Sequence, residues 1–184
     1  MTRLVSALPG LLLSLTLSCS AGGADPASGQ GGPPSTAPAS SAQAALDRLD
    51  DRSPVPLIPM MALHMKADMK DHLLVVEEIT LALAAGDFEA VDESASRIAF
   101  TEDLANRCDH MGSGAPGFPE LGIEFHRKAS GIRVAAQARD RDGVLRALGE
   151  TIQVCTGCHA RFRQEVVDSA AWEQRTGSSA PHSH

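Results

Sequence analysis

Between Pro59 and Pro116, and again between Pro119 and Pro181, the chain has no proline, and its apolar residues recur at helical spacings. Four helices are expected. The first runs from about Met60 to Ala85, with Met65, Met69, Leu73, Val76 and Leu83 on one stripe, and stops at Gly86, a residue suited to the left-handed turn that closes a helix. The second opens at Asp87, an N-cap, and runs to about Asp109 with Val91, Ala95, Ile98 and Ala105 on one face. The third covers about Glu120 to Arg139, with Phe125, Ala129, Ile132 and Ala136. The fourth starts near Asp140 or Asp142 and continues to about Val167, with Leu145, Leu148, Ile152, Cys155, His159, Phe162 and Val166. No stretch alternates with period two in β-branched residues, so no strand is expected. Short connections make consecutive helices antiparallel neighbours. The expected fold is all-α: an antiparallel up-down-up-down four-helix bundle over residues 55–170.

The two ends break this pattern. Residues 1–18 carry one basic residue, Arg3, then the apolar run Leu11 to Leu17 and small residues, and read as a secretory signal. The run is too short, and too interrupted by Pro9 and Gly10, for a stable membrane-spanning helix. Cys19 follows Thr16-Leu17-Ser18, which resembles a bacterial lipobox and implies a lipidated Cys19; an ordinary cleaved signal beside an incidental cysteine is the other reading. Residues 20–54, rich in Gly, Pro, Ser and Ala, read as a disordered linker, a coil of roughly 30–35 Å reach. Residues 171–184 read as a flexible tail in which His182 and His184 are idle. These features place the protein in the periplasm, tethered to a membrane only through the lipid.

Composition narrows the function. A net charge of −7 over 184 residues gives no electrostatic grip on a phosphate backbone, so nucleic acid is not an expected partner. Five Phe, one Trp and no Tyr leave a core of aliphatic side chains, short of flat apolar bulk.

The chemistry lies in the fourth helix. Cys155-Thr156-Gly157-Cys158-His159 is the Cys-x-x-Cys-His attachment signal for c-type haem. At about 100° per residue all three side chains leave one face of the helix. The two thiols can then form thioethers with one haem, and His159 can serve as axial iron ligand. A structural zinc site would need two further ligands at partner spacing, and the body has no second Cys-x-x-Cys or His-x₃-His. A dithiol redox motif would open a helix after a strand. The expected cofactor is one covalent haem c on Cys155 and Cys158. Cys108 has no evident partner and reads as a packed thiol; His126, beside Phe125, reads as a structural hydrogen-bonder.

The string Cys155-Thr156-Gly157-Cys158-His159-Ala160-Arg161-Phe162-Arg163, late in the last helix of a bundle, resembles the Cys-x-x-Cys-His-x-x-aromatic-Arg pattern of the cytochrome c′ family, and Ala85-Gly86-Asp87-Phe88 resembles that family's first turn. The resemblance covers about residues 58–167. It implies a haem between helices one and four, with Phe162 and Arg163 at its proximal side, and a sixth iron position facing helix one. Counted back from Gly86, Met69 falls near the position of the methionine in Met-ligated members; Met65 and His72 are the alternatives. A thioether ligand there suits electron transfer, whereas an apolar side chain would leave iron open to nitric oxide or carbon monoxide. The expectations are an exported monohaem electron carrier that is not an enzyme, with redox proteins as partners; the alternative is a five-coordinate gas-binding protein. The resemblance also implies a homodimer through helices one and two.

Overall fold

The computed structural model describes residues 45–46 and 48–178; the signal, Cys19, most of the linker, and His182 and His184 lie outside them. The described chain is predominantly helical. Its order is β1 (Ser53–Leu57), α1 (Pro59–Ala85), α2 (Phe88–Ser96), α3 (Glu102–Gly112), α4 (Phe118–Gln137), α5 (Arg141–Arg161), β2 (Phe162–Val166) and α6 (Ser169–Thr176).

The local rules behind α1 and its neighbours hold. Gly86 takes φ 76° and its N–H closes the end of α1. Asp87 caps α2 by accepting from Ala90 N at 3.0 Å, and Asp140 caps α5 by accepting from Gly143 N at 2.9 Å. The expected second helix, however, is two helices. The chain leaves α2 after Ser96 and restarts at Thr101, whose hydroxyl accepts from Leu104 N at 3.1 Å, with Glu102 and Asp103 in the first turn of α3. The backbone groups released at this break are captured by α4: the Ser130 hydroxyl accepts from Phe100 N at 3.0 Å, and His126 Nδ1–H donates to Ile98 O at 2.9 Å.

The expectation of a strandless domain is corrected. α5 ends at Arg161, six residues before the expected Val167, because Phe162 turns extended (φ −125°, ψ 147°) and starts β2. β2 runs parallel to β1, with Ser53 opposite Phe162 and Leu57 opposite Val166. Leu57 O accepts from Val167 N at 2.9 Å. Alternation along the strand therefore turns the backbone of Ser53, Val55 and Leu57 toward β2 and the edges of Pro54 and Pro56 away from it, where a missing N–H costs nothing. Part of the stretch expected as linker, Ser53 and Pro54, thus belongs to a strand. The expected tail is corrected as well: residues 169–176 form α6, capped by Asp168, and its Trp172 is fully buried.

Two apolar clusters hold the fold together. The larger joins Val75, Ile79 and Leu83 of α1, Val91, Ala95 and Ile98 around α2, Phe125, Ala129, Ile132 and Ala136 of α4, and Val144 and Leu148 of α5. The smaller, at the other end, gathers Val55, Leu57 and Ile58, Met61, Ala62 and Met65 of α1, Ala115, Phe162 and Trp172. α4 packs along α5, α2 and α3, whereas α1 meets α5 far less extensively than α4 does.

Candidate cofactor site

α1 meets α5 far less extensively than α4 does, and hydrogen-bonded ties lie near their ends, one direct and one through β2. At one end Arg141 Nη1 donates to Leu83 O at 3.0 Å. At the other, β1 pairs with β2, and Gln164 Nε2 donates to Ala62 O at 3.0 Å. Arg141, Leu145, Ile152 and His159 follow one another at spacings of four and seven, so one stripe of α5 runs from the first tie to the histidine. On α1 the matching stripe is Leu83, Val76, Met69 and Ala62, each seven apart, and it touches α5 or β2 at both ends. Counting fourteen residues down each helix from the Leu83–Arg141 tie, about 21 Å at 1.5 Å per residue, brings Met69 level with Cys155. Large apolar side chains stay uncovered along this edge: Met69 is 40% exposed, Leu73 70%, Leu145 52% and Ile152 38%.

Cys155 and Cys158 are free thiols one turn apart, each half-buried. Cys155 packs against the larger cluster and Cys158 against the smaller, so the pair spans the junction of the two cores. Cys155 Sγ donates to Thr151 O at 3.4 Å. Burial pushes both thiols above the ordinary cysteine value, which keeps them protonated and poor metal ligands as they stand. The His159 side chain is exposed and makes no hydrogen bond among the described residues. No group of three His, Cys, Asp or Glu side chains among the described residues is placed to hold a metal ion, which leaves the zinc reading without ligands.

The remaining sequence-predicted residues distribute unevenly. Phe162 is buried and meets Phe118 edge-to-face at 5.4 Å. Arg163 lies on β2, not on a continuing helix, so the helical-spacing argument that set it beside His159 is corrected. Its Nε is nonetheless buried without a hydrogen-bond partner. Met65 is 7% exposed and part of the smaller core. His72 is half-buried and stacked on Phe125, ring centroids 4.5 Å apart; burial and the neighbouring His126 bring it down to about 4. His126 is the core hydrogen-bonder described above. Cys108 is buried where α3 crosses α4, and burial and Asp109 push it up to about 11; a Cβ at Gly122 would come within 2.9 Å of its sulfur.

The residues present fit a flat, apolar, covalently held group. The uncovered apolar edge between α1 and α5 and the thiol pair on α5 are each what such a group would cover. Two residues that sequence reasoning did not single out, Asp50 and Arg52, also reach this end of α5: Arg52 Nη1 donates to His159 O at 3.2 Å. They fell in the presumed linker, and no local signal marks a contact 107 residues away.

No family model, no curated protein and no solved structure matches the chain.

Proposed function

We propose that the chain is an exported monohaem c-type cytochrome that carries electrons to and from redox proteins, tethered to a membrane through Cys19. In this reading α1, the pair α2–α3, α4 and α5 are the legs of a cytochrome c′-type four-helix bundle. Cys155 and Cys158 would hold the haem by thioethers, His159 would ligate its iron, and Phe162 and Arg163 would line it. The observation that carries the reading is the coincidence of the Cys-x-x-Cys-His motif with the edge of α5 along which α1 stands off and apolar side chains on both helices remain uncovered. When bound, the haem supplies an iron that takes up and releases one electron, and no substrate is transformed.

Among the candidates for the sixth position, Met69 is favoured by its freedom. Withdrawing Met65 from the smaller core would open a cavity, at about 2–5 kcal/mol. His72 is already engaged with Phe125 and His126. Met69 lies on the stripe that faces α5 and is not part of either core. A thioether there raises the potential and blocks gas access.

The test is the absorption spectrum of protein matured with covalent haem, ferric and ferrous, with and without carbon monoxide. Low-spin bands that do not respond promptly to carbon monoxide are expected. High-spin ferric haem that binds carbon monoxide readily would replace this reading with the gas-binding one. Met69→Ala is expected to convert the iron to high-spin and open it to carbon monoxide; an unchanged spectrum would pass the assignment to Met65 or His72.

A further inference from the structure

One arginine remote from the cysteine motif in sequence reaches it in space. Arg52 precedes β1 by one residue, and its Nη1 donates to the backbone carbonyl of His159 at 3.2 Å. That carbonyl belongs to the last turn of α5; Cys158 O still accepts from Phe162 N–H, but the carbonyls after it lack helical partners because the chain goes over to β2 at Phe162. The guanidinium is not free to swing. Its Nε donates to Asp50 Oδ1 at 2.8 Å and its Nη2 to Asp50 Oδ2 at 2.7 Å, a fork-on-fork pair, and the Arg52 backbone N–H adds a bond to Oδ1 at 3.3 Å. The next residue, Ser53, is already in register with Phe162. The end of α5 is therefore held by a β ladder that starts at Phe162 and, immediately before it, by an arginine oriented by its own carboxylate partner.

We infer that Arg52, oriented by Asp50, is a positioning residue for His159. The inference rests on the haem reading above. Holding the backbone of the last turn fixes the direction of the His159 Cα–Cβ bond and so narrows the χ1 and χ2 settings at which the imidazole would meet a bound iron. Arginine suits the role because its fork serves a carboxylate with two donors and a carbonyl with a third; a lysine ammonium has no such fixed geometry.

The experiment uses the full chain matured with haem, comparing wild type with Arg52→Ala, Arg52→Lys and Asp50→Asn. The ferric electron paramagnetic resonance g-values and the haem-methyl proton shifts report the orientation of the imidazole plane, and hydrogen exchange reports the looseness of residues 159–162. Arg52→Ala is expected to change the g-values and methyl shifts and to speed exchange there about tenfold, the effect of one charge-assisted hydrogen bond. Asp50→Asn should act in the same direction less strongly, and Arg52→Lys should recover part of the wild-type pattern. Arg133→Ala, which loses the remote ion pair to Asp92 at 2.7 Å, should leave the haem signals unchanged. Wild-type methyl shifts in Arg52→Ala overturn the inference whatever the exchange rates do. If that variant does not accumulate, unshifted signals in Asp50→Asn overturn it equally. A wild-type chain whose mass includes no haem overturns the underlying reading and this inference with it, and is recognised before any variant is made.

Discussion

Trp172 is fully buried, yet its indole N–H has no hydrogen-bond partner. Its contribution is therefore apolar bulk, packed among Met61, Met65 and Phe162 and set edge-on to His110 at 5.7 Å. Trp172→Ala is expected to cost about 3–5 kcal/mol in denaturant unfolding. Trp172→Phe, which also deletes the unpartnered donor, should cost under about 1.5 kcal/mol. A Trp172→Ala variant as stable as wild type would mean that α6 does not dock. The buried histidines give a second prediction at this scale. His72 is depressed to about 4 by burial and then by His126, and His126 is lowered by burial. Below the ordinary histidine value of 6.5 the unfolded chain takes up protons at these rings that the folded chain resists, at His72 until about 4. Stability is thus complete above about 6.5 and is lost as pH falls toward 4. Thermal melts should rise in Tm from pH 4 to 6.5 and then level, and His72→Phe should flatten the rise. A wild-type Tm that is flat across that window would contradict the assignment.

The two short strands decide where α5 ends and so where the histidine sits. Val55→Pro would remove an N–H turned toward β2 and leave its carbonyl acceptor there unpaired, at about 1–3 kcal/mol, whereas Pro56→Ala leaves the ladder intact. Urea midpoints should separate the two, and an equal small effect would argue against the register. This element is also where the sequence was least readable. The extent of α1, the Gly86 stop and the caps at Asp87 and Asp140 follow from local chemistry and were legible. The break before Thr101 was not: no proline or glycine marks it, and its exposed backbone groups are met by Ser130 and His126, some thirty residues away. Pro54 closed the expected linker and no strand was expected, because a lone strand has no partner in sight; only the parallel pairing with residues 162–166 gives the alternation of Pro54 and Pro56 a meaning. Trp172 had the same difficulty, since a short polar helix around one tryptophan becomes structure only through the core it enters.

At the scale of the whole molecule, a chain poor in aromatic residues builds two cores, with Cys155 packed on one and Cys158 on the other, and leaves an apolar edge between α1 and α5 uncovered. A haem seated along that edge would add the flat apolar surface the composition lacks and complete the junction. Losing it should therefore loosen the fold as well as bleach it. The most direct measurement is the intact mass, under denaturing conditions, of the chain exported from a host that matures c-type cytochromes. The account predicts a mass above that of the polypeptide and any lipid by one haem, located on the peptide containing Cys155 and Cys158 and lost when both are changed to alanine. A colourless wild-type protein with the mass of the polypeptide and lipid alone would contradict it.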